Sequence, residues 1–248
     1  MKINSAGFLI CMLLFLATAV SAQPYSGERR FDGVHLHECS GYLLGGHNVV
    51  TGTFVGEAVT YTRHLTDRWS VSAGQQIQFF KQLYSLDVMG TYRLLAGRSN
   101  LYFDGRFLFN RYDRWNVNEP ILNLSMLWES PYVDIRIGES YIHYRKNGIK
   151  YKYRTYTDAG YSEPLTMTFG VGVNVKDRSS AWNLGLFLRN YDHFYYENWN
   201  INWGVRFYAS LPHGMKLFGE FNIRPAGSLS QLATRYETSL KLGLRHAW

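Results

Sequence analysis

Apolar and polar side chains alternate along most of the chain. In the last segment, an apolar or ring-bearing side chain stands at every second position from Leu240 to Trp248, and residues such as Lys241 and Gly243 stand between them. Successive side chains of a β-strand point to opposite faces, so this period of two residues predicts a strand with one apolar face. The pattern runs to the final residue, although a chain end is usually poorly ordered unless something holds it.

The same alternation recurs in segments of about ten residues, which is the length of a strand that crosses a bilayer at a tilt. The regular segments are residues 69–79, 84–94, 101–110, 122–128, 133–140, 165–176, 182–189, 199–207, 216–224 and 236–248. Two less regular segments, near residues 30–42 and 50–64, complete the set. Together they predict about twelve strands in a single sheet, an even number that brings both ends of the chain to one side.

The connections between these segments alternate in length. Short connections are predicted at 66–67, 97–100, 129–131, 176–180 and 212–214, and longer ones at 111–119, 143–163, 191–198 and 225–235. Short turns on one side and longer loops on the other are typical of an up-and-down barrel in a membrane. Asn147-Gly148 is a hairpin signal, so residues 143–157 are expected to extend a hairpin beyond the membrane.

The N-terminal residues predict export from the cytoplasm. Lys2 precedes an apolar run from Gly7 to Val20, and small residues follow as far as Ala22. This order is typical of a signal peptide, so we expect cleavage before Gln23, leaving residues 23–248 as one domain. The alternative is a membrane anchor, but the run is shorter than the ~20 residues that a spanning helix needs.

Strands with one apolar face bury that face either in a β-sandwich or against lipid. In hydrocarbon every unpaired backbone N–H or C=O costs several kcal/mol, so a spanning sheet must close on itself and its last strand must pair with its first. Trp248 then belongs to an interfacial belt of aromatic rings with Trp69, Trp182 and Trp199. A sandwich gives no reason for the terminal ring, so the prediction is an all-β, closed, antiparallel, up-and-down transmembrane β-barrel of about twelve strands.

The signal segment, the even set of two-faced strands and the C-terminal aromatic residue together resemble Gram-negative outer-membrane β-barrel proteins. In that class the last strand carries an assembly signal of a polar residue, a glycine and apolar positions that end at the terminal aromatic. Lys241, Gly243 and Trp248 match this signal, whereas His246 departs from it at the penultimate apolar position. The resemblance implies an outer-membrane location, contact with outer-membrane lipid and lipopolysaccharide, and recognition by the outer-membrane assembly machinery.

If the apolar series faces lipid, the alternate series lines the interior, and that series is charged. Nine inward cations are candidate anion-binding residues: Arg93, Arg106, Arg136, Arg189, Arg206, Lys216, Arg224, Lys241 and Arg245, with Lys176 as a tenth. The inward acids are Asp87, Asp104, Asp134, Glu220 and Glu237. The excess of positive charge predicts a small porin that favours anionic solutes, similar in size and basic lumen to twelve-stranded porins for acidic oligosaccharides. The alternative is an interior closed by mutual salt bridges, because buried charges need partners.

A catalytic role is the competing interpretation, because outer-membrane barrels include phospholipases, lipid A deacylases and proteases. Ser140 and His143 are the nearest nucleophile and base, but an odd spacing places them on opposite faces of a strand. We therefore expect no catalytic residue. After the signal segment only Cys39 remains, and although His35 and His37 share its face, we expect no metal and no cofactor.

The formal net charge of +7 raises the question of a nucleic-acid partner, which export to the cell envelope argues against. The segment 143–161 is basic and rich in tyrosine, with its cations at Arg145, Lys146, Lys150, Lys152 and Arg154. Such a segment would suit lipopolysaccharide phosphates or acidic glycans. A barrel that binds envelope glycolipids through its loops is therefore an alternative to a porin.

Overall fold

The structure of the chain is a computed structural model. It describes residues 36–48, 52–79, 83–113, 116–146, 161–192, 195–196, 201–225 and 236–248. The predicted signal segment, its cleavage site and His35 lie outside these ranges. Within them, no helix has the length and hydropathy of a membrane span.

Twelve antiparallel strands form one closed barrel, as the alternation predicts. In chain order the strands are β1 (His37–Asn48), β2 (Gly52–His64), β3 (Trp69–Gln78), β4 (Leu83–Leu95), β5 (Asn100–Tyr112), β6 (Val117–Glu129), β7 (Val133–Lys146), β8 (Tyr161–Asn174), β9 (Trp182–Arg189), β10 (Tyr191–Asp192), β11 (Tyr195–Tyr196), β12 (Asn202–Ser210), β13 (Met215–Pro225) and β14 (Tyr236–Ala247). β10 and β11 form a separate two-stranded sheet, and each of the others pairs with its neighbours in the barrel. The predicted fold class is confirmed.

The barrel closes where the two ends of the chain meet. β1 pairs with β14 along its length, from Glu38 opposite Ala247 to Asn48 opposite Glu237. The backbones of His37 and Trp248 then exchange two hydrogen bonds of 3.0 Å, and their rings stack 5.9 Å apart. The terminal tryptophan is therefore held by the pairing of the first and last strands. We call this end of the barrel the terminal rim and the opposite end the loop rim.

Two predicted boundaries are wrong. The first strand continues to Asn48 rather than ending near Tyr42, because it pairs with the last strand as far as Glu237, and residues 30–35 of the predicted segment lie outside the described residues. The predicted long connection 111–119 is a short one at 113–116, because the β5–β6 ladder continues as far as Tyr112 opposite Val117. The predicted hairpin at Asn147-Gly148 lies outside the described residues.

The outer wall is apolar around the barrel. Exposed apolar side chains on it include Leu43, Val71, Val88, Phe103, Leu122, Met126, Ile137, Val171, Leu186, Trp203, Phe221 and Leu242. Rings also line the terminal rim, where Trp69 and Tyr92 pack with centroids 4.7 Å apart. Apolar surface on this scale is stable against lipid rather than against water.

The interior is partly filled by apolar and aromatic side chains, which the alternation alone did not predict. One buried cluster consists of Tyr42, Leu44, Phe54, Ala58, Leu108, Ile121, Ile142, Tyr191, Tyr208 and Phe218. Tyr42 meets the edge of the Phe218 ring, with centroids 6.3 Å apart. Side chains of a small barrel fill its interior, so a residue that points inward does not necessarily contact solvent.

Gly243 provides a test of this packing. A Cβ atom at this position would collide with the carbonyl oxygen of Gly41 and would lie 2.7 Å from Cβ of Tyr42. We expect Gly243→Val to lower the free energy of unfolding by about 1–3 kcal/mol, as overpacking usually does. The measurement is urea unfolding of detergent-refolded protein, followed by the heat-dependent gel mobility of the barrel.

Gly90→Val is the matched control, because a Cβ at Gly90 would meet nothing within 4 Å. Refolding in detergent needs no assembly machinery, so the comparison reports packing and not recognition of the assembly signal. Equal stability of the two variants would contradict the packing at Gly243.

Candidate functional site

The charged interior is the candidate site, and carboxylates already contact most of its predicted cations. The candidates that lie within 4.0 Å of an acidic side chain include Arg106, Arg136, Arg189, Arg206, Arg224, Lys241 and Arg245. The ion pairs form several groups on different arcs of the wall. The alternative interpretation from the sequence, an interior crossed by salt bridges, is therefore part of the observed geometry.

One group joins β4, β5 and β7. Arg106 on β5 makes a two-pronged contact with Asp87 on β4, at 2.6 and 2.8 Å. Arg136 on β7 reaches across β6 to Asp104, at 2.7 Å, and donates to the Ser125 hydroxyl on the way. All four charged side chains are almost completely buried. A buried charge without its partner is strongly unfavourable, so each of these pairs depends on both of its members.

A second group centres on Asp134. Arg206 on β12 crosses β9 and β8 to bring Nη2 within 2.6 Å of this carboxylate. Two glycines clear its route: a Cβ at Gly185 would lie 3.0 Å from Nε of Arg206, and one at Gly172 would lie 2.6 Å from Nη2. These two positions therefore need glycine because the guanidinium passes over them.

Arg178 completes this group, and the sequence analysis missed it. It lies in the turn between β8 and β9, donates 2.6 Å to Asp134 and approaches Glu129 at 3.6 Å. Its backbone is also held, since its N–H donates to the carbonyl of Pro131 and its carbonyl accepts from the Tyr208 hydroxyl. Alternation gives no information about a side chain in a turn, so this guanidinium had no signal in the strand pattern.

The same turn corrects the prediction for Lys176. Its ammonium lies 3.2 Å from the centroid of the Trp182 ring, which is on the outer wall, so Lys176 does not line the interior.

In the same turn, hydrogen bonds from the side chain and backbone of Ser179 hold the pKa of Asp177 below its usual value. The Asp177 carboxylate therefore stays charged at neutral pH and caps the turn.

A third group shares one carboxylate between two cations. Glu220 on β13 accepts from Arg189 at 2.6 Å and from Lys241 at 3.0 Å. Arg189 also stacks on Phe187, with its guanidinium carbon 4.2 Å from the ring centroid. Tyr191 lies between the groups, because the guanidinium carbons of Arg136 and Arg189 are 5.6 and 5.8 Å from its ring centroid.

The remaining pairs lie toward the two rims. Near the loop rim, Glu237 contacts Arg224 at 2.8 Å and accepts from Asn48 at 2.7 Å. Near the terminal rim, Arg245 pairs with Glu38. Of the other two candidates, Lys216 lies 5.4 Å from the Tyr208 ring centroid, and Arg93 is half-buried on β4.

The charge of the interior is more balanced than the sequence analysis predicted. The buried acids Glu38, Glu119 and Glu129 also face inward. Among the described residues the interior therefore has eight acids and ten cations, a total that includes Arg178 and leaves out Lys176. Glu38 was missed because the first segment is irregular, with charges on both faces, and was assigned no inward series. Glu119 was missed because its position was assigned to a loop. The net interior charge is still positive, by about two where about five was expected.

Several neutral polar groups also face inward. Asn202 and Asn222 are 0% and 1% exposed, and neither amide group has a hydrogen-bond partner among the described residues. A buried amide without a protein partner is normally hydrogen-bonded to water or to a ligand. This arc of the wall, on β12 and β13, is therefore suited to solvent or solute.

The structure separates the residues of the catalytic alternative. Ser140 is buried on the inner face, where Asn123 donates to it at 2.9 Å and Thr168 lies 2.8 Å away. His143 lies on the other face, as its odd spacing predicts. His37 and Cys39 share the outer wall, and no cluster that would hold a metal ion occurs among the residues described. Most of the basic segment 143–161 lies outside the described ranges.

No family model and no curated protein matches the chain. The solved structures with a similar backbone include the KdgM porin, which is 8% identical, with 85% of this chain and 99% of that one covered and a TM-score of 0.52. A second KdgM porin structure, in complex with disordered oligogalacturonate, has a TM-score of 0.51 at 8% identity, with 84% and 99% covered. An active-site mutant of outer membrane phospholipase A from Escherichia coli has a TM-score of 0.51 at 11% identity, with 83% and 89% covered. These likenesses show the fold of an outer-membrane barrel, which hosts both transport and hydrolysis.

Proposed function

We propose that this chain is an integral outer-membrane barrel that acts as a narrow channel for small anionic solutes. The observation that carries the proposal is the two-sided wall, with an apolar outer surface and an inner surface bearing arginines and lysines from most of the strands. An apolar wall suits lipid, and an inner surface with net positive charge favours anions.

The terminal rim supports placement at a membrane surface. Its outer face carries Trp69, Trp182 and Trp248, and Lys176 lies against one of these rings. Aromatic rings and long cations of this kind are typical of the boundary between hydrocarbon and head groups. Lys241, Gly243 and Trp248 remain the predicted signal for the assembly machinery, and lipopolysaccharide remains the predicted partner of the outer leaflet.

The geometry of the interior supports a restricted pathway. Salt bridges and the aromatic cluster point into the lumen from several strands, so a solute advances by contacting the cations in place of their carboxylates. Guanidinium groups favour such exchange, because they bind carboxylates and phosphates in the same two-pronged geometry. The complex of the KdgM porin with oligogalacturonate supports an anion as the class of solute.

Loop binding of envelope glycolipids is the second candidate. It is favoured by Arg145, which is exposed at the loop rim of β7 and begins the basic segment. A barrel that binds only through its loops would conduct no ions. The conductance measurement below therefore separates the two functions.

The first prediction concerns location. Expressed with its full N-terminus in a Gram-negative host, the chain is expected in the outer-membrane fraction, resistant to urea washing, and beginning at Gln23 by N-terminal sequencing. The physical reason is the exposed apolar wall, which only lipid or detergent covers well. Recovery in the soluble periplasmic fraction would overturn the proposed function.

The second prediction concerns selectivity. In planar bilayers the wild-type channel is expected to give a small current with a reversal potential that indicates anion preference. Glu220→Gln removes the carboxylate shared by Arg189 and Lys241, so anion preference and conductance should both rise. The readouts are the reversal potential in a salt gradient and the single-channel current.

Asp113→Asn is the matched control. It removes the same charge from Asp113, which directly follows β5 and forms an exposed ion pair with Arg111 at the end of that strand. Its reversal potential should equal that of the wild type. No current from correctly folded wild-type protein would reject the channel and favour loop binding.

A further inference from the structure

Two polar side chains interrupt the apolar outer wall at adjacent strands. Glu57 lies on β2 between the outward residues Val55 and Val59, and Gln75 lies on the outer face of β3. Glu57 is in register with Ile77, and Gln75 is in register with Val59. The two polar residues are therefore diagonal neighbours, roughly 7–8 Å apart, on one face of the sheet.

Apolar groups surround this pair. Leu86 on β4 is in register with Gln75, and Phe79 directly follows the end of β3 at the loop rim. Within the described part of the chain, no residue of the same barrel forms a hydrogen bond or an ion pair with either side chain. A carboxylate and an amide facing hydrocarbon are unfavourable there, and polar residues in this position usually mark a contact.

The outer wall beside the pair leaves room for a partner protein to pack against it. A Cβ atom added at Gly45 on β1 or at Gly90 on β4 would meet nothing within 4 Å. By contrast, the outward Gly219 on β13 is covered by the ring of Phe207. Two membrane proteins can approach most closely where small residues leave the surface uncovered. The wall on either side of Glu57 and Gln75 therefore presents no bulky side chain at Gly45 and Gly90 that would prevent close packing of a partner.

The pair is self-complementary under two-fold symmetry. An axis parallel to the barrel axis, passing between β2 and β3, places β2 of one copy opposite β3 of the other and keeps each residue at its own level. Strand tilt brings one set of diagonal neighbours to nearly the same level. Glu57 of one copy then faces Gln75 of the other, and the reverse contact follows from the symmetry.

We infer that two copies of this chain associate in the membrane through the outer face of β2 and β3. In this dimer the carboxylate of Glu57 accepts a hydrogen bond from the amide of Gln75 in the second copy, twice across the axis. The inference rests on the proposed membrane location. A second copy fits better than an unrelated partner because donor and acceptor are both present, at adjacent positions, on the same chain.

The test is cross-linking in intact outer membranes, with the full chain and with Cys39→Ser as background. Ala73→Cys places a thiol on the outer face of β3 close to the proposed axis. Mild oxidation is expected to give a covalent dimer of this chain. Ala209→Cys, on the outer face of β12, is the matched control and should give none.

Variants at the polar pair then test its role. In the Ala73→Cys background, Glu57→Leu or Gln75→Leu should lower the association constant of the dimer about tenfold, which corresponds to roughly 1.4 kcal/mol, and the yield of covalent dimer should fall with it. Glu139→Leu is the matched control, because Glu139 is also an outward carboxylate but is in register with Leu124 and Met167. The exchanged double variant, Glu57→Gln with Gln75→Glu, should restore the dimer because donor and acceptor are both kept.

The outcomes distinguish the two proposals. If the chain is absent from the membrane fraction, the proposed function fails. If it is present and folded but Ala73→Cys gives no dimer, or Glu57→Leu behaves like Glu139→Leu, the dimer is rejected. A cross-linked product whose mass differs from two copies of the chain also rejects it.

Discussion

Backbone hydrogen bonding across the seam between β1 and β14 is the constraint on which the rest of the structure depends. A sheet facing hydrocarbon has no water to satisfy an open edge, so the first and last strands must pair. The observed ladder from Glu38 to Asn48 meets this requirement, and the bonds between His37 and Trp248 complete it. Closure also divides the side chains into an outer set and an inner set.

The inward-facing charged side chains need partners because the barrel is closed. Charged side chains enclosed by twelve strands lose much of their hydration, so they are stable only with partners. The structure provides those partners across several strands, as in Arg206 with Asp134, and through a turn, as in Arg178. Among the described residues, a modest positive excess and amides without a hydrogen-bond partner, such as Asn202, are also present. In the proposed channel, these groups and the paired cations are the ones that a solute contacts.

Sequence reasoning succeeded where the physical signal was local. The face of each regular strand followed from alternation, and the inward placement of Arg136 and Arg189 was confirmed by their burial. It failed where the signal came from a distant partner. β1 extends to Asn48 because it pairs with β14, and Glu119 is inward because the β5–β6 ladder runs further than the local residue pattern indicates. Arg178 had no signal at all, because a turn residue has no alternation.

The sequence by itself determined the two-sided strands, their number and the need for a closed sheet, because side-chain direction along a strand depends only on position in the chain. Only the tertiary structure decided which acid meets which cation, how far aromatic rings fill the lumen, and that Glu57 and Gln75 are neighbours on the outer wall. These depend on the register and stagger between strands that are far apart in the sequence. Local pattern cannot encode them, since a shift of one strand against the next changes every partner while leaving each strand's own alternation intact.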